Sequence, residues 1–156
     1  MGIWSDTDWL AAVGSRRMDV TPWNPDDLTP NGLDLRISHL LVDGVTHKKG
    51  TVEVPPMTRF VVGTVETMRM PTDAVGSLWI RSSYARRGVL ASFGKVDAGF
   101  HGNLTIGAFH TGAEPLQVPV GDRFCQIVME NLQSPIQKAY NERSGNYQNQ
   151  TGITLG

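Results

Sequence analysis

Turn signals recur at short intervals through the middle of this chain, and that spacing constrains the fold more than any other feature. Asp43-Gly44, Lys48-Lys49-Gly50, Pro55-Pro56, Met70-Pro71-Thr72-Asp73 and Gly121-Asp122 divide the apolar residues into short runs. Glycine supplies backbone conformations closed to other residues and proline fixes φ and removes a donor, so the runs between them are too short for long helices. With 17 Gly and 9 Pro in 156 residues, turns dominate. The runs themselves read as strands over 32–38, 40–45, 51–54, 60–68, 75–80, 89–92, 104–110, 116–118 and 124–132. In the first of these, Leu33, Leu35 and Ile37 alternate with Asp34, Arg36 and Ser38, the period of a half-buried strand whose polar face is either functional or simply wet. Gly121-Asp122 reads as a hairpin turn.

Two segments depart from this pattern. Ser5 or Asp6 caps one short helix ending at Gly14, with acids in its first turn and Trp9, Leu10 and Val13 on one face. Residues 20–31, VTPWNPDDLTPN, carry Pro22, Pro25 and Pro30, which exclude both a helix and a central strand and leave an ordered, extended arm. One domain spanning 1–156 is expected, mainly β, as a sandwich, jelly roll or small barrel. Its tail, 141–156, is polar and glycine-rich and reads as a flexible segment or lid.

Bulk charge narrows the partners. A formal charge of −1 gives no global attraction to nucleic acid or to anionic membranes. Cys125 is the single cysteine and has no intramolecular partner, and its apolar strand implies a buried, inert thiol. There is no signal-like N-terminus and no apolar run long enough to span a bilayer, so a cytoplasmic protein is expected.

Anion binding, if present, comes from local clustering. Arg81, Ser82, Ser83, Arg86 and Arg87 place forked cationic donors and small hydroxyls within seven residues, a composition suited to polyphosphate oxygens; the plain alternative is a solvated turn. Asp97 follows ten residues later. A carboxylate near a polyphosphate is repelled unless it has a task there, such as orienting water, although Asp-x-Gly is also a common turn. Phe100 by itself is read as core. His101 and His110 lack partners at metal-ligand spacing, and no Ser-His-Asp set, P-loop or dinucleotide fingerprint is present.

Five ordered motifs carry a resemblance over nearly the whole chain: PWNPDDLTPNGLDLR (22–36), RSSYARRG (81–88), VDAGFHGNLTI (96–106), VGDRFCQIVMENL (120–132) and GNYQNQTG (145–152). Together they resemble the dCTP deaminase and trimeric dUTPase superfamily. The resemblance implies a distorted β-barrel or jelly-roll subunit, a homotrimer with nucleotide sites at subunit interfaces, and Mg²⁺ held through the triphosphate, with Asp34 as a further contact through water. It assigns Ser82 and Arg86 to the triphosphate, with Arg81 and Ser83 beside them. Asp97 then meets the deoxyribose 3′-hydroxyl and positions water, Phe100 packs under the sugar, Gln126 belongs to the fourth motif, and Tyr147 and Gln150 close over the nucleotide.

The tail resembles the deaminase branch, yet one departure bears on the chemistry. In dCTP deaminases a glutamate stands ten residues after the aspartate and shuttles protons to the cytosine ring, whereas this chain has Gly107. Glycine moves no proton, losing a shuttle costs roughly 10²–10⁴-fold, and His110 falls on the opposite strand face. The expectation is therefore a dUTP diphosphatase with Mg²⁺. The alternatives are a dCTP deaminase with another base and a catalytically silent nucleotide-binding trimer.

Overall fold

The computed structural model describes residues 2–156. Fourteen strands form its framework: β1 Asp19–Thr21, β2 Leu28–Thr29, β3 Gly32–Val42, β4 Val45–His47, β5 Thr51–Val54, β6 Thr58–Thr64, β7 Thr67–Arg69, β8 Ala74–Ile80, β9 Val89–Ala91, β10 Lys95–Val96, β11 His101–Gly102, β12 Thr105–His110, β13 Leu116–Pro119 and β14 Arg123–Asn131. Three short helices accompany them, α1 Asp6–Gly14, α2 Ser82–Ala85 and α3 Tyr140–Arg143. The mainly β expectation holds.

The main sheet is antiparallel and runs β10-β8-β14-β3-β6-β12-β9. β3 organises it. Its first half pairs with β14 through Leu33 to Arg36, and its second half pairs with β6 through Ile37 to Val42. A register shift between Ile37 and His39 bends the strand where it changes partner, which curls the sheet. Two smaller sheets, β1-β7-β11 and β13-β5, close around it. The alternating side chains of β3 place Leu33, Leu35 and Ile37 inside at 2% exposure or less. Each contributes roughly 1.5–3 kcal/mol relative to an exposed position.

Three expectations need correction. The runs 32–38 and 40–45 do not form separate strands: β3 continues to Val42 because the bulge absorbs the bend without a turn. The run 60–68 breaks into β6 and β7, which belong to different sheets, with Glu66 buried between them against Arg36. Gly121-Asp122 is not a hairpin turn. β13 pairs with β5 while β14 pairs with β3 and β8, and Gly121 N–H donates instead to Ile37 O at 2.8 Å.

The N-terminal helix forms as expected, with a reciprocal cap: Ser5 Oγ accepts from Asp8 N–H, and the Asp8 carboxylate accepts from Ser5 N–H. Its buried face carries Trp9 and Ala12, while Leu10 is 51% exposed, so the inward face is one residue round from the expected one. The arm is ordered, with a 3-10 turn at Pro25–Asp27. Buried Asp27 ties it down by accepting from Arg123 at 2.7 Å. Cys125 is buried, and desolvation raises its thiol pKa far above the usual range. No described helix is long and apolar enough to cross a membrane.

Candidate active site

β8 delivers the arginine–serine segment. Arg81 directly follows the strand, its N–H donating to Phe124 O at 3.1 Å and its Nε lying 3.2 Å from the Asp34 carboxylate. Ser82 and Ser83 then lie exposed on α2, which is anchored from below by Tyr84. Tyr84 is fully buried, stacks edge-on against Phe124 at 5.0 Å, and donates its hydroxyl to Asp122 Oδ2 at 2.7 Å. Gly88, at φ +81°, ends the segment in a conformation that a side chain would strain. Ser82, Ser83 and Arg81 line a cleft of about 270 Å³ with Asp34, Trp79 and Gln126. Gln126 donates to Thr29 Oγ1 at 2.9 Å, which fixes its amide at the cleft wall.

The two arginines that follow α2 differ. Arg87 lies 4.5 Å over the Tyr84 ring and donates to Ser83 O at 3.0 Å, so it braces the helix. The Arg86 side chain is exposed, with no partner among the described residues. Asp34 is buried, and desolvation raises its pKa against the opposing pull of Arg81 and Arg123. Its carboxylate is already engaged by Arg81.

A second cleft, about 300 Å³, is built by the turn after β10 and by the tail. Asp97 stands exposed at its rim, its carbonyl accepting from Phe100 N–H at 3.1 Å. Phe100 is buried beneath, edge-on to Tyr140 at 5.6 Å, and its carbonyl accepts from Met70 N–H. Tyr147 and Gln150 line the same cleft from the tail. The tail is held by backbone and side-chain hydrogen bonds: His101 N–H donates to Gln148 Oε1 at 2.9 Å, Asn149 N–H donates to His101 O, and Gln150 pairs in parallel with Gly102. Asn103 Nδ2 donates to Gly152 O at 2.8 Å, and Thr154 N–H donates to Thr105 Oγ1 at 3.0 Å.

The structure thus sorts the sequence-predicted residues into two groups. Asp97, Phe100, Tyr147 and Gln150 share one cleft, and Arg81, Ser82, Ser83 and Gln126 share another, while Arg86 lines neither of the two. Gly107 lies on the outer face of β12 between Thr105 and Phe109, while Ile106, Ala108 and His110 point into the core. His110 is 2% exposed and bonded to Glu114 O, so it cannot serve the outer face.

The family model described as dCTP deaminase-like matches residues 41–132. A dCTP deaminase of Pyrococcus horikoshii is 39% identical over 142 residues, covering 87% of this chain and 88% of that protein. This chain belongs to the dCTP deaminase-like family. Its relatives carry two kinds of name. The chain is also 31% identical to a probable deoxyuridine 5′-triphosphate nucleotidohydrolase of Sulfolobus islandicus rod-shaped virus 1, over 98% of this chain and 97% of that protein. Among solved structures, the dCTP deaminase of Agrobacterium tumefaciens superimposes with a TM-score of 0.72 at 20% identity, over 83% of this chain and about half (49%) of that one. The dUTPase of Staphylococcus bacteriophage 80alpha gives 0.56 at 20% identity, over 78% and 94%. These superpositions show a shared fold.

Family members bear names of nucleotide enzymes of both kinds, so the family does not choose between base and phosphate chemistry. Sequence reasoning missed Trp79, Tyr140, Ser92 and Arg59 at the clefts. Arg59 had no signal at all, because its relation to Gly107 depends on strand register.

Proposed function

We propose that this protein is a dUTP diphosphatase, hydrolysing dUTP to dUMP and pyrophosphate as a homotrimer. The observation that carries this reading is Gly107, which leaves the outer face of β12 without an acid or base while Asp97 stands exposed in the neighbouring cleft. Deamination needs a group to take a proton from water and return protons to the ring and the departing amine. Phosphate cleavage needs none of these at Gly107.

In this reading the whole of 1–156 is one nucleotide-binding domain, with 141–156 as its lid. The deoxyribose sits on Phe100 with its 3′-hydroxyl toward Asp97, closed over by Tyr147 and Gln150. The triphosphate lies against Ser82, Ser83, Arg81 and Arg86, with Gln126 fixing the wall. Because Asp97 and the Arg81, Ser82 and Ser83 group occupy different clefts of one chain, the full site forms where the arginine–serine cleft of one subunit meets the Asp97 cleft of the next. Asp97 accepts the proton of a water aimed at the α-phosphorus, the bond to the bridging oxygen breaks, and pyrophosphate leaves against the arginine donors.

Mg²⁺ fits this site only as an ion carried by the triphosphate. No group of three His, Cys, Asp or Glu side chains suited to a metal occurs among the described residues, and Asp34 is engaged by Arg81. When bound there, the ion neutralises phosphate charge. Pyrophosphate release from dUTP, lost in Asp97→Asn, tests the proposal; its absence with native protein and Mg²⁺ would remove it. A second reading, dCTP deamination, is favoured by the names of the archaeal relatives. Ammonia release from dCTP would establish it.

A further inference from the structure

Nothing inside the chain requires residue 107 to be glycine. Its φ lies outside the left-handed region, and the nearest atom to an added Cβ is Arg59 Nη2 at 3.9 Å, an ordinary contact. A mid-strand glycine weakens a strand, and where the fold does not demand it the missing side chain marks a surface kept clear for close approach.

The surroundings define what approaches. The register of β6 and β12 sets Thr105 opposite Gly63, Gly107 opposite Val61 and Phe109 opposite Arg59, so these side chains share one face. The tail covers the first end of this face: Gly152 O lies against Gly63, and Thr154 N–H donates to Thr105. Arg59 closes the other end, its guanidinium reaching diagonally to Gly107. Ser92 donates its N–H to Gly107 O at 2.8 Å and borders both this strip and the Asp97 cleft. The bare strip therefore opens off the Asp97 cleft, and Thr105 to Gly107 spans about 7 Å along the strand. That is long enough to lay a pyrimidine ring out from its sugar. Arg59 is exposed, with no ion-pair partner among the described residues.

We infer that Arg59 reads the 4-position of the pyrimidine, donating to a 4-carbonyl oxygen and rejecting a 4-amino group across the gap left by Gly107. A guanidinium has donors and no acceptor. A ring carbonyl satisfies it, whereas an exocyclic amine sets donor against donor and strands both groups. This inference rests on the reading of the Asp97 cleft as a deoxypyrimidine nucleotide site, but it concerns base choice and not catalysis.

The test is binding, measured by calorimetry with Mg²⁺ and the α,β-imido analogues of dUTP and dCTP. The native protein binds the uracil analogue about tenfold or more tighter than the cytosine one. Arg59→Ala brings the two within about threefold by weakening the uracil analogue alone. Arg59→Gln, whose amide offers both a donor and an acceptor, binds both rings. Equal weakening of both analogues, an unchanged ratio, or a change only in oligomeric mass by sedimentation would each overturn the inference. Native discrimination that Arg59→Ala abolishes, in a protein that releases no pyrophosphate from dUTP, would uphold this inference and remove the diphosphatase reading.

Discussion

A Cβ placed on Gly63 would lie 2.8 Å from the carbonyl oxygen of Gly152. The tail therefore docks on β6 only because residue 63 has no side chain, and the two segments meet beside the Asp97 cleft. Gly63→Ala is expected to push the tail off while β6 keeps its pairing, at a cost of about 1–3 kcal/mol in stability. If the tail is the lid proposed above, catalytic efficiency falls by about 10²-fold as it loses its seat. Limited proteolysis within 141–156 checks this; a tail that stays protected would contradict it.

The division of site residues between two clefts makes a prediction about mixed assemblies. Asp97→Asn and Arg86→Ala each abolish most activity alone, by roughly 10²–10⁴-fold. Co-expressed, they regain about a quarter of native activity, because random assembly pairs an intact Asp97 cleft with an intact Arg86 in that share of interfaces. Activity assays on the co-purified mixture decide it, and no recovery would place both residues in one subunit's site.

Arg86 and Arg87 are neighbours with different tasks. Arg86→Ala is expected to lower kcat/KM by about 10²–10³-fold with little change in unfolding. Arg87→Ala removes the cation from the Tyr84 ring and the bond to Ser83 O, and so costs about 1 kcal/mol in stability with a smaller kinetic effect. Denaturant titration beside steady-state kinetics separates the two.

Much of this was legible in the sequence because it depends on local chemistry. The Ser5 cap and the short strands follow from residue type and spacing. The Asp97, Phe100, Tyr147 and Gln150 group was legible through motifs. Other features depend on register between distant strands and have no local signature. The bulge that lets β3 change partner, the separate partners of β13 and β14, and the reach of Arg59 to Gly107 are of this kind. Leu10 misled because an apolar residue next to a buried Trp9 looks inward-facing until the helix is docked.

Asp34 gives a pH signature. Its pKa is raised in the folded state, chiefly by burial, so its contribution to stability is greatest below the unfolded carboxylate pKa of about 3.9 and is lost as pH rises through the folded value. Asp34→Asn lacks this loss. The difference in unfolding free energy should therefore move in favour of the variant as pH rises from about 3.5 to 6, and a difference moving the other way would show that Arg81 outweighs burial.

In the proposed function, Gly107 confines this scaffold to phosphate chemistry. Incubating the purified protein and Mg²⁺ with dUTP and dCTP in parallel, with pyrophosphate and ammonia measured separately, tests it most directly. Pyrophosphate from dUTP and no ammonia from dCTP are the expected result. Ammonia from dCTP, lost in Asp97→Asn, would contradict it.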